Sequence, residues 1–235
     1  NQVRLAIISD IHANLEGLTR AFELIDDIRA DEVICLGDVV GYGANPNECL
    51  DLVRQRCSVI LMGNHDAAAC DPAIAESFTT NARLSAVWTN KTLTKENKTY
   101  LAGLVMTHEQ PQVFFVHATP CNPGEWEYIL TEHDAKSAFR CFDREICFIG
   151  HTHAPVAFGE TGKVKQIQRG ARYIINVGST GQPRDGNPKL SFGVFDIERW
   201  EYQNIRAEYN IKLASQKIMD AGLPRGLAER LWVGI

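Results

Sequence analysis

The sequence predicts an α/β protein built around a parallel β-sheet, and two observations support this prediction. Over the first 62 residues, short apolar runs alternate with segments of helical periodicity, as in strands joined by helical crossovers. After residue 155, strand-like runs follow one another with only short turns between them, which favours antiparallel pairing in a second sheet. Because the 235 residues contain no long linker, repeat or low-complexity tract, we expect a single domain over residues 1–235.

The first part of the chain shows the strand and helix alternation most clearly. The first three predicted strands cover residues 5–9, 33–36 and 59–62. Asn14 is placed to cap the first helix, in which apolar side chains recur at helical spacing as far as Ile25. Asn45 and Pro46 predict the start of the second helix, because proline is favoured at the first helical position, and we expect this helix to end at Arg56.

The strand pattern is interrupted between residues 71 and 104. Cap-like residues occur there at 79–81 and at Thr94, and each precedes a segment of helical character. We therefore expect a helical insert over residues 71–104 that covers one side of the strand ends. A pair of surface helices with no contact to a substrate explains the same pattern equally well.

The second half of the chain returns to strands. Two apolar runs predict strands at 113–116 and 146–149, and residues 132–142 between them read as a helix. The later predicted strands cover residues 155–158, 164–167, 173–177, 190–195 and 202–205. Asn210 is placed to cap a last helix that Gly222 ends, so we expect a C-terminal helical tail over residues 210–235.

Composition excludes several classes of partner. The net charge of −5 and the pI of about 5.8 argue against broad binding to nucleic acid backbones, which requires a basic surface. The acidic net charge is compatible with small phosphorylated substrates, because bound metal ions supply positive charge locally. No apolar run approaches the roughly 20 residues that cross a bilayer, and no signal peptide is visible, so we expect no membrane partner and a cytoplasmic location. A homo-oligomer is compatible with the sequence.

The seven cysteines are expected to be reduced thiols. Their number is odd, none has CxxC spacing, and no secretion signal accompanies them. Cys35 and Cys147 lie inside strand-like runs and are interpreted as small buried apolar residues.

Residues that bind metals recur at the ends of the predicted strands. Five strand-like runs end in such residues, namely Asp10 with His12, Asp38, Asn64, His117, and His151 with His153. Mixed imidazole and oxygen ligands suit Mn, Fe, Zn or Co. Any one of these residues is explained as a satisfied polar group at a strand end. The whole set of residues is not explained in this way, because clustered carboxylates and imidazoles need compensating charge.

The same residues, in the same order, resemble the signature of the calcineurin-like metallophosphoesterases: D-x-H, GD-x-x, GNH-[DE], a single H, and GH-x-H. All five blocks are present here, as Asp10-Ile11-His12, Gly37-Asp38-Val39-Val40, Gly63-Asn64-His65-Asp66, His117 and Gly150-His151-Thr152-His153. The blocks cover about residues 5–155. The resemblance implies a four-layer α-β-β-α sandwich, in which two mixed β-sheets are flanked by helices.

The resemblance also implies a site for two divalent metal ions, with manganese as the first choice and iron, zinc, cobalt or nickel as alternatives. By this resemblance, Asp10, His12 and His153 hold one ion, Asn64, His117 and His151 hold the other, and Asp38 bridges the two. Two ions about 4 Å apart clamp a phosphate and lower the pKa of a bridging water, so that a hydroxide attacks phosphorus. His65 is then expected to protonate the leaving oxygen, with Asp66 orienting its imidazole.

Two sequence features indicate which members of this family the chain resembles most. Tyr42 stands where protein phosphatases of this superfamily carry a phosphate-gripping arginine, which argues against a phosphoprotein substrate. The stretch at 176–186 resembles the NPGS-x-GQPRDG loop of small bacterial phosphodiesterases and of hydrolases similar to the diadenosine tetraphosphatases, with Val177 in place of the proline. Arg184 in this loop is a candidate phosphate ligand. A turn cluster in which Arg184 pairs with Asp185 is the equally weighted alternative.

These observations predict a metal-dependent phosphoesterase that acts on a phosphomonoester, a phosphodiester or a nucleotide. Trp126, in the loop after His117, is a candidate for stacking on a base, although an aromatic that anchors the loop is the commoner case. Two alternatives share the fold: a non-catalytic metal-binding scaffold, and a nuclease. All ligand positions are intact, which argues against the scaffold, and the acidic charge balance argues against the nuclease.

Overall fold

The computed structural model, which describes residues 3–235, contains two mixed β-sheets with helices on their outer faces. The predicted α/β sandwich is therefore confirmed. The strands of the first sheet are β1 (Arg4–Ile8), β2 (Glu32–Cys35), β3 (Val59–Ile60), β10 (Leu190–Asp196) and β11 (Glu201–Ala207). Their order is β11-β10-β1-β2-β3, in which β1, β2 and β3 are parallel and β10 is antiparallel to both of its neighbours.

The second sheet has the order β4-β5-β6-β9-β7-β8. Its strands are β4 (Thr107–Gln110), β5 (Val113–Val116), β6 (Ile146–Ile149), β7 (Val156–Gly159), β8 (Gly162–Val164) and β9 (Tyr173–Asn176). Strands β5, β6 and β9 are parallel, whereas β4, β7 and β8 pair antiparallel at the two edges. The parallel centres of both sheets thus bring the carboxyl ends of β1, β2, β5 and β6 into one region.

The helices are α1 (Leu15–Ile28), α2 (Pro46–Arg56), α3 (Asn64–Cys70), α4 (Thr80–Thr92), α5 (Lys95–Ala102), α6 (Glu132–Ala138), α7 (Ile211–Asp220) and α8 (Arg225–Val233). Three predicted caps are confirmed, since Asn14, Thr94 and Asn210 each accept a hydrogen bond from a backbone N–H in the first turn. Within residues 3–235, no helix combines the length and the apolar character needed to cross a bilayer.

Alternating side chains of the central strands divide the apolar core into layers. Along β1, Ile7 belongs to the cluster between the two sheets, together with Phe115 and Phe148. The adjacent Ile8 points to the opposite face and packs in the cluster that contains Leu18 of α1. Because both faces of β1 are covered, the strand is apolar and buried from Leu5 to Ile8, as in other buried parallel strands.

Five elements differ clearly from the sequence predictions. Strand β8 covers Gly162–Val164, whereas residues 164–167 were predicted. Strand β3 is only two residues long, because the chain turns into α3 at Asn64. Strand β4 was not predicted, since its polar sequence THEQ belongs to an edge strand that pairs on one side only. Helix α6 ends at Ala138 and continues as a short 3₁₀ turn to Cys141. Helix α8 follows Pro224 and was not separated from the predicted tail.

A disulfide joins Cys121 and Cys141, so the prediction of fully reduced cysteines is wrong for this pair. The two residues are 20 positions apart, and no sequence spacing identifies them. The turn that follows α6 brings Cys141 back against the loop after β5. The other cysteines, Cys35, Cys49, Cys57, Cys70 and Cys147, are free.

Candidate metal centre

The predicted ligands lie together at the carboxyl ends of the parallel strands. They are Asp10 and His12 after β1, Asp38 after β2, Asn64 at the start of α3, His117 after β5, and His151 and His153 after β6. Each is at least nine-tenths buried. Such a concentration of buried carboxylates and imidazoles needs either mutual pairing or bound cations.

Asp10, His12 and His153 form the first of two compact groups of metal-binding side chains. Their candidate ligand atoms all lie within 4.8 Å of one another. Asp10 Oδ1 is 3.2 Å from His153 Nε2 and 3.8 Å from His12 Nε2. The two histidine Nε2 atoms are 3.1 Å apart. One oxygen and two imidazole nitrogens therefore converge on a single point.

Asp38, His117 and His151 form the second group, also within 4.8 Å. Asp38 Oδ2 is 3.3 Å from His117 Nε2 in its own group and 3.7 Å from His12 Nε2 in the first group. The Asp38 carboxylate thus lies between the two groups, where a bridging ligand would be required.

Backbone carbonyls orient three of the four histidines. The Nδ1 atoms of His12, His117 and His153 lie 3.2, 3.1 and 2.6 Å from the carbonyl oxygens of Val40, Leu36 and Gln182. A carbonyl oxygen only accepts, so each Nδ1 carries a hydrogen and each Nε2 is the ring atom that faces the cluster. This arrangement is typical of imidazoles that bind metals.

Several ligand atoms in the centre are buried without a hydrogen-bond partner among the described residues. They are Asp10 Oδ1, Asn64 Oδ1, His117 Nε2 and His151 Nε2. Buried polar atoms are nearly always paired, because an unpaired one costs roughly 1–3 kcal/mol. All four are acceptors or potential acceptors that suit a divalent cation, so the residues present fit a metal centre.

The charges of the cluster are strongly coupled. Burial alone would raise the pKa of Asp10, but His153 and His117 lower it below the usual range of a carboxyl group. Burial alone would lower the pKa of His117, but the carboxylates of Asp38 and Asp10 raise it to about 9. Burial lowers the pKa of His151 to about 3. Without metal, therefore, Asp10 and Asp38 are ionised and His117 carries a proton on Nε2 that a bound cation would displace.

The backbone at the site is strained. Five candidate ligands have the left-handed φ values that side chains rarely adopt, namely Asp10, His12, Asp38, His151 and His153, between 50° and 66°. Each such residue costs on the order of 1–3 kcal/mol and persists only where the surroundings enforce it. Strain concentrated on one set of polar side chains indicates that their positions serve a function.

Two motif glycines are explained by close approach. A Cβ at Gly63 would lie 2.0 Å from Asp38 Oδ1, and one at Gly150 would lie 2.1 Å from Ser9 Oγ. Any side chain at either position would displace the carboxylate of Asp38 or the hydroxyl that donates to Asp10 Oδ2. The glycines that precede Asn64 and His151 are therefore required by the packing of the centre.

The structure places His65 and Asp66 beside the centre, but the predicted partnership between them is wrong. The Asp66 carboxylate accepts hydrogen bonds from the backbone N–H groups of Asp38, Val40 and Gly63, at 2.7, 3.2 and 3.0 Å. Because α3 begins at Asn64, Asp66 points back under the helix start and holds the Asp38 loop. The Nδ1 of His65 has no partner among the described residues.

A cleft of about 530 Å³ opens beside the metal centre. Asn64, His65 and His151 line this cleft, together with the aromatic side chains of Phe78 and Tyr128. The Tyr128 ring stacks on His151 with centroids 4.0 Å apart. Residues 74–82, from the predicted helical insert, contribute to the lining, so this segment faces the cleft rather than only the surface.

Arg184 also lines the cleft and is not paired with Asp185. Asp185 instead forms a bidentate ion pair with Arg206, at 2.6 and 3.1 Å. The alternative of a local Arg184–Asp185 pair is therefore wrong. The Arg184 backbone N–H donates to the carbonyl of His153 at 3.1 Å, which fixes its position relative to the first metal group.

Sequence reasoning assigned no role in the site to Tyr128, Phe78 or Arg230 of α8, all of which line the cleft. None of them belongs to a motif, and Arg230 lies far along the chain from every other site residue. Gln182, whose carbonyl orients His153, was predicted only as part of a loop. Any residue has a backbone carbonyl, so the residue type does not reveal which carbonyl accepts a hydrogen bond from a ligand histidine.

Comparisons with known proteins agree with this geometry. A family model described as the calcineurin-like phosphoesterase superfamily domain matches residues 3–199. An uncharacterized protein of Methanocaldococcus jannaschii is 37% identical over 98% of both chains. The phosphodiesterase YfcE of Escherichia coli is 26% identical over 83% of this chain and 88% of its own. The crystal structure of a metallophosphoesterase from Sphaerobacter thermophilus superposes with a TM-score of 0.90, at 36% identity and complete coverage of both chains.

Proposed function

Because the chain belongs to the calcineurin-like phosphoesterase superfamily, we propose that it is a metal-dependent hydrolase of phosphoric esters that uses two divalent ions. The observation that carries the proposal is the set of unpaired buried ligand atoms at Asp10, Asn64, His117 and His151. None of these atoms has a hydrogen bond from the described part of the chain, and their ligand types suit divalent cations.

The proposed ligand sets follow the two groups described above. One ion would be held by Asp10, His12 and His153, and the other by Asn64, His117 and His151, with Asp38 bridging. Ions bound there would supply Lewis acidity for the phosphate and would lower the pKa of a water that serves as nucleophile. We expect manganese to support activity, with iron, zinc, cobalt or nickel as alternatives.

His65 is the proposed proton donor to the leaving oxygen. Its ring lies between Tyr42 and Phe78, with centroid distances of 4.4 and 4.9 Å, and so is held at the cleft wall. Burial lowers the pKa of His65 to about 4 in the absence of substrate. A phosphate dianion in the cleft would raise this pKa, because an adjacent negative charge favours the imidazolium. Asp66 is proposed as a positioning residue for the Asp38 loop.

The proposed substrate is small. The cleft of about 530 Å³ has the size of a pocket for a ligand of the nucleotide class. Trp126 and Tyr128 contribute aromatic surface to its lining, which suits a base or another planar group of the substrate. The net charge of −5 argues against long nucleic acids. A phosphomonoester, a phosphodiester and a nucleotide all fit these limits.

Hydrolysis of bis-p-nitrophenyl phosphate and of p-nitrophenyl phosphate tests the proposal. We expect purified protein with added manganese to hydrolyse at least one of them, to lose activity on chelation and to regain it when metal is restored. If these compounds and a nucleotide panel resist hydrolysis with every metal tried, the enzymatic proposal fails. Metal binding without turnover would instead support a non-catalytic scaffold.

A further inference from the structure

Two arginines converge at one end of the cleft. Arg184 comes from the loop after β9 and Arg230 from α8, and both lie over the ring of Tyr42, with centroid distances of 5.6 and 5.9 Å. Both also donate to a single acceptor, Gln182 Oε1, from Arg184 Nη2 at 2.7 Å and from Arg230 Nη1 at 3.4 Å. The two guanidinium groups are therefore neighbours.

Neither guanidinium has a carboxylate side chain as a partner within residues 3–235. Other arginines of the chain do, as shown by Arg206 with Asp185 and Arg225 with Glu229. Within residues 3–235, the other hydrogen-bond partner of Arg230 is a main-chain oxygen of Ile235, the last residue of the chain, at 2.7 Å from Nε. The neutral Gln182 amide and the main-chain oxygen of Ile235 balance at most one of the two positive charges, so the pair keeps an excess of positive charge.

The arrangement has an electrostatic cost. Both arginines are half-buried. Burial, followed by the charge of Arg184, lowers the pKa of Arg230. Like charges at this separation repel, and partial burial increases the repulsion. An anion bound between the two groups would remove that cost, and the forked guanidinium geometry suits phosphate oxygens.

The arginine pair is also fixed relative to the metal centre. Gln182, which holds both guanidinium groups, accepts from His153 Nδ1 through its carbonyl at 2.6 Å. Its backbone N–H donates to Ser179 Oγ at 2.7 Å. The arginines line the same cleft as Asn64 and His151, so one ligand can reach both the metals and the pair.

We propose that Arg184 and Arg230 bind a second phosphoryl group of the substrate, joined to the one hydrolysed at the metal centre. The substrate class is then a pyrophosphate-containing ester, such as a nucleoside diphosphate or triphosphate. A phosphodiester carries one negative charge, which the metals would already neutralise, so the excess positive charge of the two guanidinium groups favours a substrate with a further anionic group. This inference rests on the proposed function. Helix α8 lies beyond residues 3–199, so Arg230 extends the site outside the matched family domain.

Binding of inorganic pyrophosphate to the metal-free protein tests the pair without catalysis. Isothermal titration calorimetry should show that Arg230→Gln and Arg184→Gln each weaken binding about tenfold to hundredfold, as for the loss of charge-assisted hydrogen bonds. Arg225→Gln is the matched control, because it removes the same charge from the same helix at an exposed position paired with Glu229. It should bind as the unaltered protein does. Equal binding by Arg230→Gln and the control would overturn the proposal.

Steady-state kinetics provide a second test of the proposed phosphoryl subsite. With manganese bound, Arg230→Gln should lower kcat/KM for ADP at least tenfold more than kcat/KM for bis-p-nitrophenyl phosphate, which has one phosphoryl group. Equal losses for both substrates would contradict a second subsite. If circular dichroism shows that Arg230→Gln is not folded, Arg230→Lys replaces it in both experiments. Lysine keeps the positive charge but lacks the forked guanidinium group.

The two proposals fail in different ways. Pyrophosphate binding by the arginine pair in a protein that hydrolyses no ester would refute the proposed function. Hydrolysis of bis-p-nitrophenyl phosphate by a protein whose pyrophosphate affinity does not depend on Arg184 or Arg230 would refute only the second subsite.

Discussion

His12 and His153 face each other through their Nε2 atoms at 3.1 Å, while the Nδ1 of each lies against a backbone carbonyl. Both Nδ1 atoms donate to those carbonyls, so both Nε2 atoms present lone pairs to the same point. Two lone pairs at this distance repel unless a proton or a metal ion lies between them. A bound cation is therefore expected to stabilise the folded state of the protein.

Chelation should therefore lower thermal stability. A ligand at 100 times its Kd adds about 2.7 kcal/mol to the free energy of unfolding. For a chain of this size that corresponds to a rise in melting temperature of roughly 5 to 10 °C. Differential scanning fluorimetry of EDTA-treated protein, with and without manganese, measures the shift. Identical melting curves in the two conditions would contradict a cation site at His12 and His153.

Asp38 and His65 should separate metal binding from turnover. Asp38→Asn removes the charge between the two groups, so we expect metal content to fall by about half or more, measured by plasma mass spectrometry. His65→Ala leaves every candidate ligand in place and should keep the metal content while lowering kcat by about 10²- to 10⁴-fold. Equal metal content and equal turnover in the two variants would contradict both assignments.

Asp66 should matter for stability and for the Asp38 loop. Asp66→Asn replaces one accepting oxygen by a donor that faces a backbone N–H of Asp38, Val40 or Gly63. A buried N–H left unpaired costs about 1–3 kcal/mol, so urea unfolding of the metal-free variant should show a loss of that size. Asp71→Asn is the control, because Asp71 is exposed and accepts a single N–H from Ala73. Equal effects would argue against the proposed positioning role.

The disulfide predicts a definite thiol count. Denatured protein without reductant should react with Ellman's reagent at five thiols, and at seven after reduction. In the native state the count should be lower, since burial raises the pKa of Cys57 to about 12 and raises the pKa of the Cys35 and Cys49 thiols as well. Seven reactive thiols in denatured, unreduced protein would show that Cys121 and Cys141 are not bonded.

Much of the site could be predicted because the ligands follow apolar strands. An apolar run that ends in Asp10 or His117 marks both a strand and the polar residue at its carboxyl end, and the parallel pairing of strands brings those ends together. The partner of Asp66 could not be predicted, since it depends on α3 beginning at Asn64 rather than on a continued strand. Arg230 could not be predicted either, because only the tertiary packing of α8 brings it to the cleft.

The dependence of hydrolysis on the number of bound metal ions tests the central claim most directly. Metal-free protein would be titrated with manganese while the hydrolysis of bis-p-nitrophenyl phosphate is followed, with bound metal measured on the same samples. We expect activity to rise until two ions are bound per chain and then to stay constant. Saturation at one ion, or no hydrolysis at any metal content, would contradict a two-metal phosphoesterase.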